Sequence, residues 1–472
     1  GQLAQIPPNE IIVRLALPDG RVETIPPVRF HGDTMTLEAR RRPPVDVFIV
    51  LALLGAVVVL WVSEFFPLYV TSLLIPLVLV FSGVANLGAA VRPFFNPIIV
   101  LFFAGFLMAE AMRRSGLDRL AAISIVAKMA RSPKTLFAAM LCTSAFLSMW
   151  MSNTAAVAVL TPIAIAITEP LHHLGYRKAV VLGIAYAGTL GGVGSAIGTP
   201  ANQLAIELLG TFHEHPISFV EWFAFGLPVV ILLLPIIGLY LWKRIGVSVD
   251  RETFQSARTA AKRELEETGA PTGEQYLVLA VFALIVVGWL TQTMHGQHPG
   301  MVALAGTVLL AVFGRGQPRD LQRISWASLI TFGGGLTLGL FLVQTGTSDW
   351  VATRLGTLSG VSSLVGIFAV AGVSLVLTSV ASNTASAAIL IPIAIPLASV
   401  IGADPVLLVV IVAIASSLDF ALVIGTPPTM IAYSTRLFTP SEIFRIGIVL
   451  DVLSLGVLAG AVIWLWRLFG IV

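Results

Sequence analysis

The sequence predicts an all-α polytopic membrane protein built on an inverted-topology repeat. The repeat carries two re-entrant hairpins and two broken helices, and a small β-rich N-terminal extension precedes it. Three observations predict this class. First, hydrophobic residues make up 57% of the 472-residue chain and charged residues 11%, with a mean hydropathy of +0.93; a soluble chain carries about 25% charged residues, so this composition suits lipid. Second, the tripeptide Ser-Asn-Thr occurs twice inside apolar sequence, at Ser152-Asn153-Thr154 and Ser382-Asn383-Thr384, 230 positions apart. Third, Gly-Thr-Pro recurs at Gly198-Thr199-Pro200 and Gly425-Thr426-Pro427, 227 positions apart.

Composition also narrows the function classes. The net charge of +3 is modest, and the basic residues gather in short loops, as in cytoplasmic loops rather than a nucleic-acid surface. The single cysteine, Cys142, excludes an intramolecular disulfide and argues against a metal cluster. The length suits roughly ten to twelve spans of about 20 residues. The chain starts with Gly1 rather than methionine and shows no signal peptide, so an upstream segment, including a first helix, is expected to be missing.

In order, residues 1–44 form an extramembrane extension. The stretch IIVRLALPDGRVETIPPVRF alternates apolar and polar residues around Pro18-Asp19-Gly20, the pattern of a β-hairpin, and ends in Arg40-Arg41-Arg42. Residues 45–134 hold scaffold spans near 46–62, 67–86 and 97–112 and a basic interfacial piece at 113–134. Residues 135–210 hold the first hairpin, 135–171, and a first broken span. Five glycines in GTLGGVGSAIGTP cannot make a continuous helix. Residues 211–361 link the halves through spans near 225–242, 276–292, 299–314 and 327–345 and the polar loop 243–275. The second hairpin and broken span occupy 362–436, and 437–472 is a C-terminal helix. Loops 113–134, 243–275 and 315–323 are the richest in Lys and Arg and are expected to be cytoplasmic, which puts both termini outside. The triplet Arg40-Arg41-Arg42 opposes that placement, and a missing first helix would resolve it.

The two halves correspond beyond the tripeptide. Phe103-Ala104-Gly105 through Ser115-Gly116 aligns with Gly333-Gly334-Gly335 through Thr345-Gly346 at the same offset. Each half reads span, surface helix, hairpin, broken span, with the hairpins entering from opposite faces. Such a repeat puts substrate and ion sites near the bilayer midplane. Chemically, each tip offers hydroxyls, an amide and the free N–H groups of a helix start, which suit an anion. No Lys or Arg lies within either tip. The Asn oxygens, freed backbone carbonyls and the hydroxyls of Ser148 and Thr378 suit a hard cation such as sodium, and that cation would supply the missing positive charge. Anion and cation then stabilise each other's sites. An isolated Ser-Asn-Thr more often just packs helices; its recurrence beside two glycine-rich breaks argues otherwise.

The paired Ser-Asn-Thr hairpins, the paired Gly-Thr-Pro breaks and WVSEFFPLYVTSLLIPLVL resemble the divalent anion/sodium symporter family over about residues 46–470. The resemblance implies a homodimer in which a fixed scaffold domain carries a transport domain that moves as an elevator. Carried over position by position, it implies a substrate site of Ser152, Asn153, Thr154, Ser382, Asn383, Thr384, Thr426 and Pro427. It places one sodium with Ser148, Ser152, Asn153 and Gly198 and another with Thr378, Ser382, Asn383 and Gly425. Two or more sodium ions and no organic cofactor are thus expected, with a small carboxylate anion and the bilayer as partners and no nucleic acid. The expected location is a bacterial inner membrane. The expected activity is sodium-coupled transport of C4-dicarboxylates, with a sodium-independent dicarboxylate exchanger or a sulfate or citrate carrier as alternatives.

Some residues depart from the family's pattern. Asp419 lies six residues before Gly425 and is a candidate for coupling protons or altering ion choice. It is taken as the one aspartate deep in a span. Glu110, with Arg113 and Arg114, reads as an i,i+3/i+4 ion-pair set. Glu64 fits the pattern as a residue orienting a helix end. His213, His215, His295 and His298 fall in outer loops, and His213-Glu214-His215 lacks the spacing of a helical metal pair. An intramembrane enzyme would need a pair of buried aspartates or a histidine metal pair, so no enzyme is expected.

Overall fold

The computed structural model describes residues 13–16, 22–25, 30–31, 34–35, 44–212, 217–245, 251–313, 317–355, 362–468 and 470. In the N-terminal stretch these include β1 (Val13–Ala16) paired antiparallel with β2 (Val22–Ile25), and β3 (Phe30–His31) with β4 (Thr34–Met35). Two isolated pairs this short are marginal by themselves, so the expected β-rich extension is not supported as a folded unit. Everything else described is helix and connection.

Helix α1 (Pro44–Ser63) is apolar beyond Asp46 and stops where Glu64 turns left-handed at φ 48°. Then come α2 (Leu68–Phe81), α3 (Leu87–Val91), a 3-10 turn and α4 (Pro97–Ser115), whose start is capped by the Asn96 side chain. Next are α5 (Leu117–Met129), α6 (Pro133–Ser148), α7 (Asn153–Thr168), α8 (Leu174–Gly191) and α9 (Pro200–Phe212). The link comprises α10 (Phe219–Ile245), α11 (Arg251–Thr268), α12 (Gly273–Leu290), α13 (Gln292–His295), α14 (Pro299–Val312) and α15 (Pro318–Arg323). The second half runs α16 (Trp326–Gln344), α17 (Thr347–Arg354), α18 (Ser363–Val380), α19 (Asn383–Val400), α20 (Pro405–Ala415) and α21 (Pro427–Ser434). The chain closes with α22 (Pro440–Gly456), a π-helical stretch at Val457–Val462 and α23 (Ile463–Leu468). Nine described helical segments are long and apolar enough to cross a membrane.

The element order recurs: α4 to α9 is answered by α16 to α21. The corners recur too. Gly116 at φ 70° ends α4 and starts α5; Gly346 at φ 75° ends α16 and starts α17. A side chain in that left-handed conformation costs about 1–2 kcal/mol, so glycine stands at both corners, 230 positions apart.

The polar stretch expected as the loop 243–275 is largely helix. Within α11, Phe254, Ala257 and Ala261 are buried, a stripe at helical spacing that packs on α5. Burying one such phenylalanine contributes roughly 1.5–3 kcal/mol, whereas the partly exposed ion pair Arg119–Glu264 at 2.9 Å adds at most about 1 kcal/mol. The interfacial piece expected at 113–134 is also divided, because Arg113 and Arg114 belong to the last turn of α4.

The core is centred on the two interrupted spans. Every residue from 179 to 196 and from 407 to 421 is buried. A helix apolar on all sides is surrounded by others: α8 packs on α6, α7 and α10, and α20 on α18, α19 and α9.

Candidate functional site

Both Ser-Asn-Thr motifs stand at a break between consecutive helices. α6 ends at Ser148 and α7 starts at Asn153; α18 ends at Val380 and α19 starts at Asn383. The serine of each motif is the helix N-cap. Ser152 Oγ accepts from the Ala155 N–H and Ser382 Oγ from the Ala385 N–H, each at 3.2 Å. The first N–H groups of α7 and α19 have no partner within their helices and point toward the break.

Behind each tip is the same oxygen cluster. Ser148 Oγ lies 2.6 Å from Asn153 Oδ1 and 2.6 Å from the Gly188 carbonyl. Thr378 Oγ1 lies 2.9 Å from Asn383 Oδ1 and 2.5 Å from the Ser416 carbonyl. A hydroxyl has one proton to donate, so it serves only one of its two close oxygens at a time, although the Gly188 carbonyl also accepts from the Gly192 N–H. A hydroxyl, an amide oxygen and a backbone carbonyl, largely buried and with no cationic side chain bonded to them among the described residues, are a donor set that fits a small hard cation.

The Gly-Thr-Pro breaks close the clusters. Gly198 N donates to Ser195 O at 3.4 Å and Gly425 N to Leu422 O at 3.3 Å, the same turn in both halves. A Cβ on Gly198 would overlap the Gly192 carbonyl, and one on Gly425 would overlap the Asp419 carboxylate. Only glycine allows either approach.

Both tips and both breaks line one cavity of about 820 Å³. All eight residues expected in the substrate site are in its wall, as are Gly198 and Gly425, while Ser148 and Thr378 are fully buried behind it. Thr426 Oγ1 sits 2.9 Å from Thr429 Oγ1 at the edge of the second break.

Several residues at this site escaped the sequence reading. Asn202 Nδ2 donates to the carbonyls of Gly192 at 3.0 Å, Val193 at 3.4 Å and Ser195 at 2.8 Å. Gln203 Nε2 donates to Ala196 O at 2.7 Å, and Trp222 Nε1 to Val193 O at 3.0 Å. Ser195 Oγ also bonds the Met149 carbonyl, joining the first break to the first tip. These side chains replace the bonds lost where α8 unwinds. Their signal was two adjacent amides, Asn202-Gln203, straight after Pro200 in apolar sequence.

The cavity wall also carries charge. Glu110 accepts from Arg113 at 2.6 Å and, across the molecule, from Arg323 at 3.1 Å, and all three line the cavity. The expected partnership with Arg114 is not formed; Arg114 bonds Asp320 at 2.8 Å. One carboxylate between two guanidinium groups leaves a net positive wall.

Asp419 is not alone. It is fully buried, and Asp451, within α22, is 2% exposed. Ser379 Oγ donates to Asp419 Oδ1 at 3.1 Å, and the Phe420 N–H donates to Asp451 Oδ1 at 2.9 Å. The Phe420 carbonyl accepts from Tyr186 Oη at 2.9 Å. Thus two buried aspartates flank the second break, where the sequence was read as having one. His213 and His215 lie outside the described residues. His295 Nε2 and the Gly288 carbonyl are 2.8 Å apart, and His298 Nδ1 caps α14. No cluster of three or more metal-ligating side chains forms among the described residues.

A family model described as "Citrate transporter" matches residues 58–413 and 298–471. This chain belongs to the citrate transporter family. Among its relatives is the sodium-dependent dicarboxylate transporter SdcS of Staphylococcus saprophyticus, 32% identical over 448 residues, covering 88% of this chain and 85% of the relative. SdcS of Staphylococcus aureus strain RF122 is 30% identical over 442 residues, covering 87% and 84%. The divalent anion/sodium symporter resemblance therefore stands. Of solved structures, the Alcanivorax borkumensis YdaH transporter superposes with a TM-score of 0.58 at 14% identity, covering 91% of this chain and 98% of that one. The Neisseria gonorrhoeae MtrF structure does so at 0.55 and 13%, covering 91% and 96%. At such identities these two speak to the fold alone. With its spans and its bacterial relatives, this family member is an integral protein of the bacterial plasma membrane, and its kinship is with transporters rather than enzymes.

Proposed function

We propose that this protein carries C4-dicarboxylates such as succinate, malate and fumarate across the membrane together with sodium. The observation that carries the reading is the convergence of two equivalent Ser-Asn-Thr tips, one from each half, on one cavity. Ser152, Asn153 and Thr154 with the α7 N-terminus face one carboxylate; Ser382, Asn383 and Thr384 with the α19 N-terminus face the other. Thr426 and Pro427 shape the second end. Helix N-termini favour anions by about 0.3–1 kcal/mol each when exposed, too little to desolvate a dianion, so cations must help.

One sodium sits with Ser148, Ser152, Asn153 and Gly198, the other with Thr378, Ser382, Asn383 and Gly425. The paired oxygen clusters support this assignment, as does the likeness to sodium-dependent dicarboxylate transporters. Each half is read as a re-entrant hairpin plus a broken span in inverted topology. Segments 135–210 and 362–436 are the moving transport domain, and 45–134 with 211–361 the scaffold of a homodimer working as an elevator. The family description favours one second reading, a citrate carrier of the same site.

The test is uptake of radiolabelled succinate into liposomes with an inward sodium gradient, without sodium, and with internal dicarboxylate. Uptake that requires sodium supports symport. Uptake that requires only internal substrate would make the protein an exchanger, and no uptake in any condition would sink the dicarboxylate reading.

A further inference from the structure

The two breaks share one turn but not their side chains, and one of the differences introduces a charge. Gly198 is packed against the Gly192 backbone, and Gly425 against the Asp419 carboxylate. Positions 192 and 419 are 227 apart, the offset that also relates Gly198 to Gly425. Where the first half has a glycine, the second has a carboxylate.

That carboxylate is fully buried. Its Oδ1 accepts from Ser379 Oγ at 3.1 Å, the Ala421 and Leu422 N–H groups lie beside the carboxylate, and Oδ2, the atom turned to Gly425, makes no well-formed hydrogen bond among the described residues. No ion pair to Asp419 or Asp451 forms among the described residues. The neighbour of Ser379 in sequence is Thr378, whose hydroxyl holds Asn383 Oδ1 and the Ser416 carbonyl. A carboxylate oxygen with no cationic partner among the described residues thus faces the glycine of the second oxygen cluster. The backbone bearing it is pinned from both sides at Phe420, by Tyr186 and Asp451. Burying a charged oxygen without a partner is costly, and a cation removes the cost.

We infer that Asp419 Oδ2 is a ligand of the second cation site, so that one sodium site is anionic and the other neutral. This rests on the sodium reading above and adds to it an inequality between the sites. The carboxylate attracts sodium more strongly than neutral oxygens do, so the second site fills first. Until it fills, Asp419 repels the incoming dianion, which makes cation binding a condition for anion binding.

The test is equilibrium binding of radioactive sodium to the purified full chain without any carboxylate. The expected result is two classes of site whose affinities differ at least tenfold. Asp419→Asn and Asp419→Gly, the latter matching the first half, should lose the tighter class and keep the weaker. A single class in the wild type, or two classes unchanged in either folded variant, would overturn the inference; if neither variant folds, the wild-type isotherm decides alone. Sodium binding with two classes but no succinate uptake would sink the transport reading and leave this one standing. Succinate exchange by a protein that binds no sodium would overturn this inference and the sodium coupling together, leaving only dicarboxylate transport.

Discussion

Ser148 Oγ lies 2.6 Å from Asn153 Oδ1, and the same hydroxyl holds the Gly188 carbonyl at 2.6 Å. The first tip is thereby fastened to the first interrupted span, and Thr378 does the same for Asn383 and Ser416 in the second half. Each asparagine is shared between a cavity wall and an oxygen cluster. Losing one such ligand costs about 1.5–3 kcal/mol, ten- to a hundredfold. Asn153→Ala and Asn383→Ala should therefore each lower succinate uptake at least tenfold while inserting and purifying normally. Uptake assays paired with size-exclusion profiles check this; normal transport by either variant would refute the site.

The first break depends on Asn202. Its amide reaches three carbonyls of the unwound segment, the best at 2.8 Å. Asn202→Ala leaves these buried acceptors without a donor, at about 1–3 kcal/mol. The thermal midpoint in detergent should fall, and the half-saturating sodium concentration should rise because Gly198 loses its fixed position. Asn202→Asp should be worse than alanine, since it turns an acceptor toward acceptors.

Arg113 and Arg323 bracket Glu110 in the cavity wall, and their side chains are about half exposed, at 48% and 55%. A net positive wall raises the local concentration of anions. Arg323→Gln should raise the KM for succinate several-fold with little change in kcat. Because the effect is screened, the difference from wild type should shrink as ionic strength rises at constant sodium.

Near the start of α5, Asp118 is 2% exposed. Burial raises its carboxyl above the usual value of 3.8, and the Arg119 N–H bond and the nearby Arg113 only partly oppose this. The folded protein therefore binds the proton more tightly than the unfolded chain, so stability falls as pH rises from about 4 through the raised value. Thermal midpoints measured across that window should decline in the wild type, and Asp118→Asn should flatten the decline and be more stable at neutral pH.

The breaks were legible because glycine, proline and polar residues inside apolar runs violate helix chemistry locally, as at Gly198-Thr199-Pro200. The repeat was legible because both halves kept their corner glycines, Gly116 and Gly346. What escaped lay in contacts distant in sequence. Arg323 reaches Glu110 from the far side of the link, so local spacing pointed to Arg114 instead. Asp451 is one polar residue in a span whose length and apolar flanks satisfied the reading of a plain helix. The charges of α11 outnumber the three residues of its buried stripe, so its sequence reads as a loop. The N-terminal alternation overstated what two short hairpins amount to.

The central claim is that sodium and dicarboxylate share one site built from both halves. Equilibrium binding of radiolabelled succinate to the purified protein, in sodium chloride and in choline chloride at equal ionic strength, tests it most directly. Saturable binding in sodium, weakened at least tenfold in choline, is the result expected. Equal affinity in the two salts would contradict the account.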